Sequence, residues 1–366
     1  MPVKTSSLPS LTIRSGQGDY QVDFPADLTQ LLAQLESFTR AVVLVDETVA
    51  KIYREPLSPL LDRLPWLSVP ATEDEKTLAG AQRALEFFQQ NNATKQTVVI
   101  AIGGGIIQDI ATFSSHIYYR GLRWVYVPTT LLGMCDSCIG AKASINFNAF
   151  KNQLGAFHSP HRVLICLPFL DTLSDTEIIS GYGEILKLLL TGSVKQFALL
   201  RESVEQGGLR NPELSRLIYE SLNVKKRVIE EDEYERDLRR ILNYGHTFGH
   251  ALEAITHHGI PHGKAVAWGV DLVNYIAVER GLLDRTEYDS IHAFIQKYFA
   301  HRLAGPVSAR DLIDATRRDK KVADGKVSLI LLHTAGELKI VPTAYDAQLQ
   351  REVERHLAEK QVLSWP

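Results

Sequence analysis

Cysteine is scarce in this chain: Cys135, Cys138 and Cys166 are the three present in 366 residues, too few for a disulfide framework at this length. The single C-x-x-C formed by Cys135 and Cys138 has neither a second pair nor a thioredoxin-like setting, so it reads as structural. No stretch approaches the ~20 apolar residues needed to span a bilayer. The N-terminal MPVKTSSLPSLTIRSG has no apolar signal core, and a cytoplasmic protein is expected. A surplus of positive charge is missing as well. The formal charge is -3 with basic residues scattered, which gives no field for nucleic acid. No internal repeat or low-complexity segment stands out. What remains is a globular composition, 45% hydrophobic and 23% charged. A prior of roughly 150 residues per domain points to two domains.

The first half alternates strand and helix. Leu11 to Phe24, around Gly16 and Gly18, reads as a hairpin edge. Ala41 to Val45 (AVVLV) is a buried-strand run followed by Asp46, Glu47 and Thr48, and strand ends of this kind bind ligands in open α/β sheets. Lys76 to Asn91 has helical spacing. Thr97 to Ile102 (TVVIAI) then runs into Gly103, Gly104 and Gly105. Three glycines between strand and helix let backbone N–H groups approach a pyrophosphate, helped by the helix N-terminus; a ligand-free glycine turn has the same appearance. Trp124 to Val127 ends in Pro128, Thr129 and Thr130, and Arg162 to Leu167 is one more strand. Repeated βα units imply a mainly parallel sheet.

After about residue 175 the pattern turns helical. Leu173 to Leu190, Val194 to Glu205, Pro212 to Glu230, Tyr244 to Ile255, Gly263 to Arg280, Arg285 to Phe299 and Ala309 to Lys321 are mostly amphipathic. Val327 to Leu332 and Leu338 to Val341 read as a small hairpin. The boundary falls near Thr172 to Thr176, giving domains 1–175 and 176–366. An α/β half joined to a helical half is expected to work in the cleft between them.

Within the helical half, Asn243 to His262 reads NYGHTFGHALEAITHHGIPH. His246 and His250 are four residues apart, so with Asn243 behind and Glu253 ahead they would share one helical face. His262 follows a loop holding Gly259 and Pro261. Two imidazoles from a helix and its following loop can meet at a metal such as zinc, whose catalytic sites keep three protein ligands and an open position. Surface or core histidines would give the same spacing. Elsewhere Asp136, Lys142, Lys151 and Asn152 lie amid glycine turns between the halves and suit a phosphorylated substrate. Glu184 and Lys187 sit three apart on one helix face, as an ordinary ion pair or as part of a site.

The motifs GGGIIQD, YYRG, VPTTLL, DSCIGAK, KNQLGAF, GEILK, LNYGHTFGHALE, PHG and RDKK, in this order from about Asp46 to Gly336, resemble 3-dehydroquinate synthases among the sugar-phosphate cyclases. The resemblance implies an α/β, Rossmann-like parallel-sheet domain followed by a mainly α-helical metal-binding domain. It implies zinc, with cobalt as a substitute, on Glu184, His246 and His262. NAD contacts fall on Asp46, Thr48, Glu73, Lys76, Gly104, Gly105, Asp109, Thr129, Thr130, Lys151 and Thr172. Substrate contacts fall on Asp136, Lys142, Asn152, Lys187, Lys225, Arg239, Asn243, His250 and a lysine of Asp319-Lys320-Lys321, taken as Lys320. Arg120 of YYRG corresponds to an arginine that reaches the neighbouring subunit's phosphate, which implies a homodimer.

The implied reaction is cyclisation of 3-deoxy-D-arabino-heptulosonate 7-phosphate, with NAD used and returned and phosphate eliminated, a step of the shikimate pathway. Lys142, Asn152, Lys187 and His250 would hold the phosphate. Glu235 and His250 are candidates for proton handling, with a neutral hydrogen-bonding role for His250 as the alternative. Gln108 and Ala141 depart from the family's usual glycines, Ser144 stands where glycine is common, and Ser180-Gly-Tyr-Gly replaces an apolar lead-in to Glu184. These departures lie beside the chemical groups. A sedoheptulose 7-phosphate cyclase and a metal-dependent alcohol dehydrogenase are the alternative readings.

Overall fold

The computed structural model describes residues 8–148, 150–257, 259–317, 325–360 and 362–365; the expected contact of Lys320 lies outside them. The chain divides into two compact units, Met1–Leu173 and Ser174–Pro366.

In the first unit, β1 (Leu11–Ile13), β2 (Tyr20–Asp23), β3 (Ala41–Asp46), β4 (Trp66–Val69), β5 (Val98–Gly103), β6 (Arg123–Pro128) and β9 (Arg162–Leu164) form one sheet. Its order is β1-β2-β9-β6-β5-β3-β4. Every neighbouring pair is parallel except β1 with β2. All six residues of β3 and of β5 are buried, as expected of apolar β-branched runs in the middle of a parallel sheet. Register sets Val45 beside Ile102 and Gly103 beside Pro128, so the strands reach one edge together. Strand order reverses between β3 and β5, and the crevice at such a switch point is where ligands bind in α/β sheets.

Helices α1 (Leu28–Leu35), α2 (Glu47–Ile52), α3 (Ser58–Leu61), α4 (Leu78–Gln90) and α5 (Gly105–Ile117) connect the strands. An antiparallel hairpin of β7 (Lys142–Phe147) and β8 (Phe150–Phe157) stands apart from the main sheet. Asp136, Lys142, Lys151 and Asn152 were expected amid glycine turns between the halves; Asp136 instead lies on a π-helical turn (Gly133–Ser137) and the other three on this hairpin, inside the first unit.

The second unit is built of α6 (Asp175–Gly192), α7 (Val194–Gly207), α8 (Leu214–Glu231), α9 (His246–Ile255), α10 (His262–Glu279), α11 (Arg285–Phe299), α12 (Ala309–Arg317) and α13 (Ala347–Glu359). Ser174, Ser193, Asp284 and Asp346 cap α6, α7, α11 and α13 by accepting backbone N–H bonds. A hairpin of β11 (Lys326–Thr334) and β12 (Glu337–Ala344) turns at Gly336, and β10 (His301–Arg302) pairs with β13 (Leu363–Ser364). One expectation is corrected: Asn243 is not on the histidine helix. Gly245 takes the left-handed conformation (φ 76°) and leaves Asn243 on the preceding 3₁₀ turn.

Candidate active site

Glycines let three helices of the second unit approach closely enough to assemble a ligand set. A Cβ on Gly183 would lie 2.2 Å from the carbonyl oxygen of Gly263, and one on Gly263 would lie 2.1 Å from that of Ser180. Only glycine permits this contact of α6 with α10. A Cβ on Gly269 would likewise meet the Gly245 carbonyl at 2.0 Å, which brings the start of α9 onto α10. Glu184 sits beside the first contact on α6, His262 opens α10, and His246 opens α9.

The outcome is a triad. Glu184 Oε1 lies 3.0 Å from His262 Nε2 and 3.2 Å from His246 Nε2, and one ligand atom from each residue falls within 4.8 Å of the others. The outer ring nitrogens are already engaged. His246 Nδ1 is 3.2 Å from the Tyr244 carbonyl oxygen, which can only accept, so the proton sits on Nδ1 and the Nε2 lone pair turns inward. His262 Nδ1 lies 3.2 Å from Glu253 Oε2, the carboxylate–histidine arrangement that orients metal-binding imidazoles. One carboxylate and two imidazoles form a donor set suited to zinc or cobalt. Electrostatics agree. Burial lowers the pKa of His262, yet its bonds to Glu184 and Glu253 outweigh this and raise it to about 10. Burial likewise pushes Glu184 up, but Lys187 and His246 hold it well below the carboxylate range. His246 shifts the other way, its pKa lowered chiefly by burial, which keeps its ring neutral and its inward lone pair available to a cation.

Around the triad, Lys187 Nζ lies 2.5 Å from Glu184 Oε2, with both side chains 4% exposed. The His250 ring is exposed, its centroid 5.1 Å from that of His246 and 5.9 Å from that of His262. Lys225 on α8 and Arg239 on the following 3₁₀ turn are buried. Asp232 accepts the backbone N–H groups of Arg236, Asp237 and Arg239, and the Arg239 guanidinium donates to the Glu233 carbonyl. Glu235 is left-handed (φ 58°) and accepts from Asn243 Nδ2 at 2.6 Å.

The first unit assembles a different kind of edge. Asp46 caps α2 through the N–H groups of Thr48 (2.7 Å) and Val49 (3.3 Å), and burial raises its pKa. Gly104 touches Thr130, since a Cβ there would lie 2.9 Å from Thr130 Cγ2. A Cβ on Gly105 would meet nothing within 4 Å, so the start of α5 faces open space. The Thr129 N–H donates to Gly103, and the Thr172 hydroxyl is shared with Tyr53 at 2.8 Å.

Expected cofactor and substrate residues interlock here. Lys76 Nζ lies 2.6 Å from Asp109 Oδ2 and donates to Asn152 Oδ1 at 2.7 Å. Glu73 accepts from Asn146, whose own oxygen accepts the Asn152 N–H at 2.9 Å. Lys151 Nζ is 3.7 Å from Glu73. Asp136 is buried in the π-helical turn, Lys142 and Arg120 are exposed, and Arg120 is left-handed (φ 61°). Sequence reasoning passed over Ser144, Asn146 and Glu253 as site residues. Glu253 at i+7 from His246 was the one with a visible signal.

The family description for 3-dehydroquinate synthase N-terminal matches residues 66–180, and that for 3-dehydroquinate synthase C-terminal matches 181–322. The 3-dehydroquinate synthase of Opitutus terrae is 36% identical over 362 residues, covering 94% of this chain and 98% of its own. That of Solibacter usitatus is 36% identical over 301 residues, covering 80% and 84%. Among solved structures, a 2-epi-5-epi-valiolone synthase from Streptomyces hygroscopicus subsp. jinggangensis 5008, with NAD+ and Zn2+ bound, superposes with a TM-score of 0.82 at 26% identity, covering 94% of this chain and 98% of that one. The glycine-built triad and the interlocked polar edge thus occur in a chain matched along most of its length, and this chain belongs to the 3-dehydroquinate synthase family.

Proposed function

We propose that the chain converts 3-deoxy-D-arabino-heptulosonate 7-phosphate to 3-dehydroquinate with elimination of phosphate, a carbon–oxygen lyase using NAD and one divalent metal, zinc in the first instance. The observation that carries this reading is the convergence of Glu184, His246 and His262 beside the buried Lys187. When bound, the cation lends Lewis acidity to a substrate hydroxyl and NAD takes up and gives back a hydride. The chain's own residues position and neutralise. Lys187, with Lys142, Asn152 and His250, would hold the departing phosphate, whose own oxygen can take the proton. Lys225 and Arg239, both buried, would bind the substrate carboxylate, the guanidinium as a two-pronged donor and the ammonium as a point charge. Glu235, held in a left-handed conformation of the kind that clusters at functional sites, would move protons in the later steps.

Gly104, Gly105, Asp46 and Thr48 would hold NAD, with Thr129, Thr130 and Thr172 beside them. The mesh of Glu73, Lys76, Asp109 and Lys151 would hold it too. The reading includes a homodimer in which Arg120 reaches the neighbouring subunit's phosphate, supported by its exposure and left-handed backbone.

A second reading, cyclisation of sedoheptulose 7-phosphate, is favoured by the structural likeness to the valiolone synthase. The higher identity to 3-dehydroquinate synthases favours the acid. The test supplies each sugar phosphate with NAD and zinc and follows phosphate and NADH together. Phosphate release from the heptulosonate without NADH accumulation is expected. Turnover of sedoheptulose 7-phosphate alone would transfer the chain to the second reading, and accumulating NADH would mark a dehydrogenase.

A further inference from the structure

We infer that Gln108 is a positioning residue that locks the Asp136–Lys142 segment in its substrate-receiving form, an inference that rests on the functional reading above. Gln108 is buried on α5, one residue before Asp109. Its Nε2 donates to the Ser137 carbonyl at 2.6 Å, and the Ser137 hydroxyl donates back to Oε1 at 2.6 Å. Both polar ends of the amide are therefore used on one residue of the segment. Asp109 then accepts the Ser144 N–H at 2.8 Å, so consecutive residues of one helix hold both ends of the stretch from Ser137 to Ser144.

The segment's own conformation explains why it needs such holding. Gly133–Ser137 is a lone π-helical turn, Gly140 is left-handed (φ 102°), and Ala141 is left-handed (φ 61°) despite its Cβ. Between the ends, Tyr20 accepts the Gly140 N–H at 3.1 Å and the Ala141 carbonyl accepts the His158 N–H at 2.8 Å. An unfavourable local conformation persists only where surrounding bonds over-determine it. Of these anchors, Gln108 is the one that bonds Ser137, the residue after Asp136, whereas Lys142 is also held opposite Phe157 in the hairpin. Releasing Gln108 should leave Asp136 to be ordered at the expense of substrate binding.

The test uses full-length enzyme with NAD and metal, in Gln108→Ala, Ser137→Ala, the double variant and Ser137→Thr. Gln108→Ala should raise the substrate KM about tenfold, the equivalent of one or two lost hydrogen bonds, with kcat within about threefold. NAD affinity, read by titration, should stay within about twofold. The double variant should be no worse than Gln108→Ala, and Ser137→Thr, which keeps the hydroxyl, should resemble the parent. Hydrogen exchange of the 133–144 peptides should accelerate in Gln108→Ala, a readout independent of turnover. Unchanged exchange, an additive double variant, or a loss of NAD affinity matching the rise in KM overturns the inference. If the parent turns over only sedoheptulose 7-phosphate, the functional reading falls, while the lock is judged by exchange and by KM for that sugar.

Discussion

The two units prepare for charged ligands in opposite ways. The first offers backbone N–H groups at Gly104 and Gly105, with open space at the start of α5, and beside them a mesh in which the side chains of Lys76, Asp109, Asn146 and Asn152 hold one another. The second offers buried ionisable side chains on helices brought together by glycine contacts. A backbone edge is fragile toward an added side chain, because at Gly104 a Cβ would press on Thr130 and shift the N–H groups around it. A side-chain triad is fragile toward deletion, because each removed group leaves the others buried without the charge they were arranged around.

The sharpest way to break this comparison is deletion in the second unit. His262→Ala should abolish metal binding and turnover while leaving secondary structure intact, since Glu184 and His246 alone do not complete a three-ligand catalytic site. Elemental analysis of the purified variant decides it. Stoichiometric metal in that variant would refute the ligand assignment.

Addition in the first unit comes next. Gly104→Val places side-chain atoms against Thr130, which a Cβ already approaches to 2.9 Å. Losing backbone hydrogen bonds to a pyrophosphate amounts to about 3 kcal/mol, or roughly a hundredfold in affinity. Metal content should not change. If the variant binds NAD as the parent does, the cofactor lies elsewhere.

A smaller effect separates the triad from the rest of the second unit's buried charge. Asp271 on α10 is fully buried, 2.9 Å from His292 Nδ1 and 2.8 Å from His356 Nε2. Burial pushes its pKa up, but the hydrogen bonds from His292 and His356 outweigh that and leave it lowered. A folded pKa below the unfolded value of about 3.9 means the stabilisation is complete above that pH and is lost as pH falls through the folded value. Asp271→Asn should therefore lower stability by about 1–3 kcal/mol at neutral pH. It should also flatten the acid limb of urea-unfolding midpoints against pH. An unchanged acid limb would remove Asp271 from the account, and an altered metal content would tie it to the triad.

What could be read from the sequence follows from where each signal is stored. Strands β3, β5 and β6 were legible because central parallel strands are apolar on both faces and end at Asp46, glycine or proline. Edge strand β4 was not, because Trp66, Leu67 and Ser68 are not buried and carry no continuous run. The β7–β8 hairpin was hidden by its mostly exposed second strand, and α13 by a polar sequence whose buried face is Leu349, Glu352, Val353 and His356, only two of them apolar. At the site, the pairing of Glu184 with His262, 78 residues apart, is invisible to spacing and came from resemblance alone. The reason for it lies in glycines 183, 263 and 269, which mark backbone contacts that no side-chain pattern announces.

The smallest expected effect concerns Ala141, which stands where the family usually has glycine. Its φ of 61° puts a Cβ in the left-handed region, a conformation that costs an L-residue roughly 1–2 kcal/mol. Replacing it with glycine removes that strain, but glycine has more freedom to lose on folding, about 0.5–1 kcal/mol. Ala141 is also buried, at 7% exposure, so the methyl's lost contacts take back part of what remains. The balance leaves Ala141→Gly neutral to stabilising by about 0.5 kcal/mol, a rise of roughly 1–2 °C in Tm for a unit of this size. Turnover should not change, because the backbone at 141 already has the conformation glycine would adopt, and the anchors at Ser137, Gly140 and Ser144 persist. Scanning calorimetry of the two proteins decides the sign. A fall in stability of more than about 1 kcal/mol would show that the methyl's packing outweighs the strain. The first unit's ligand edge would then rest on side-chain volume as much as on backbone geometry.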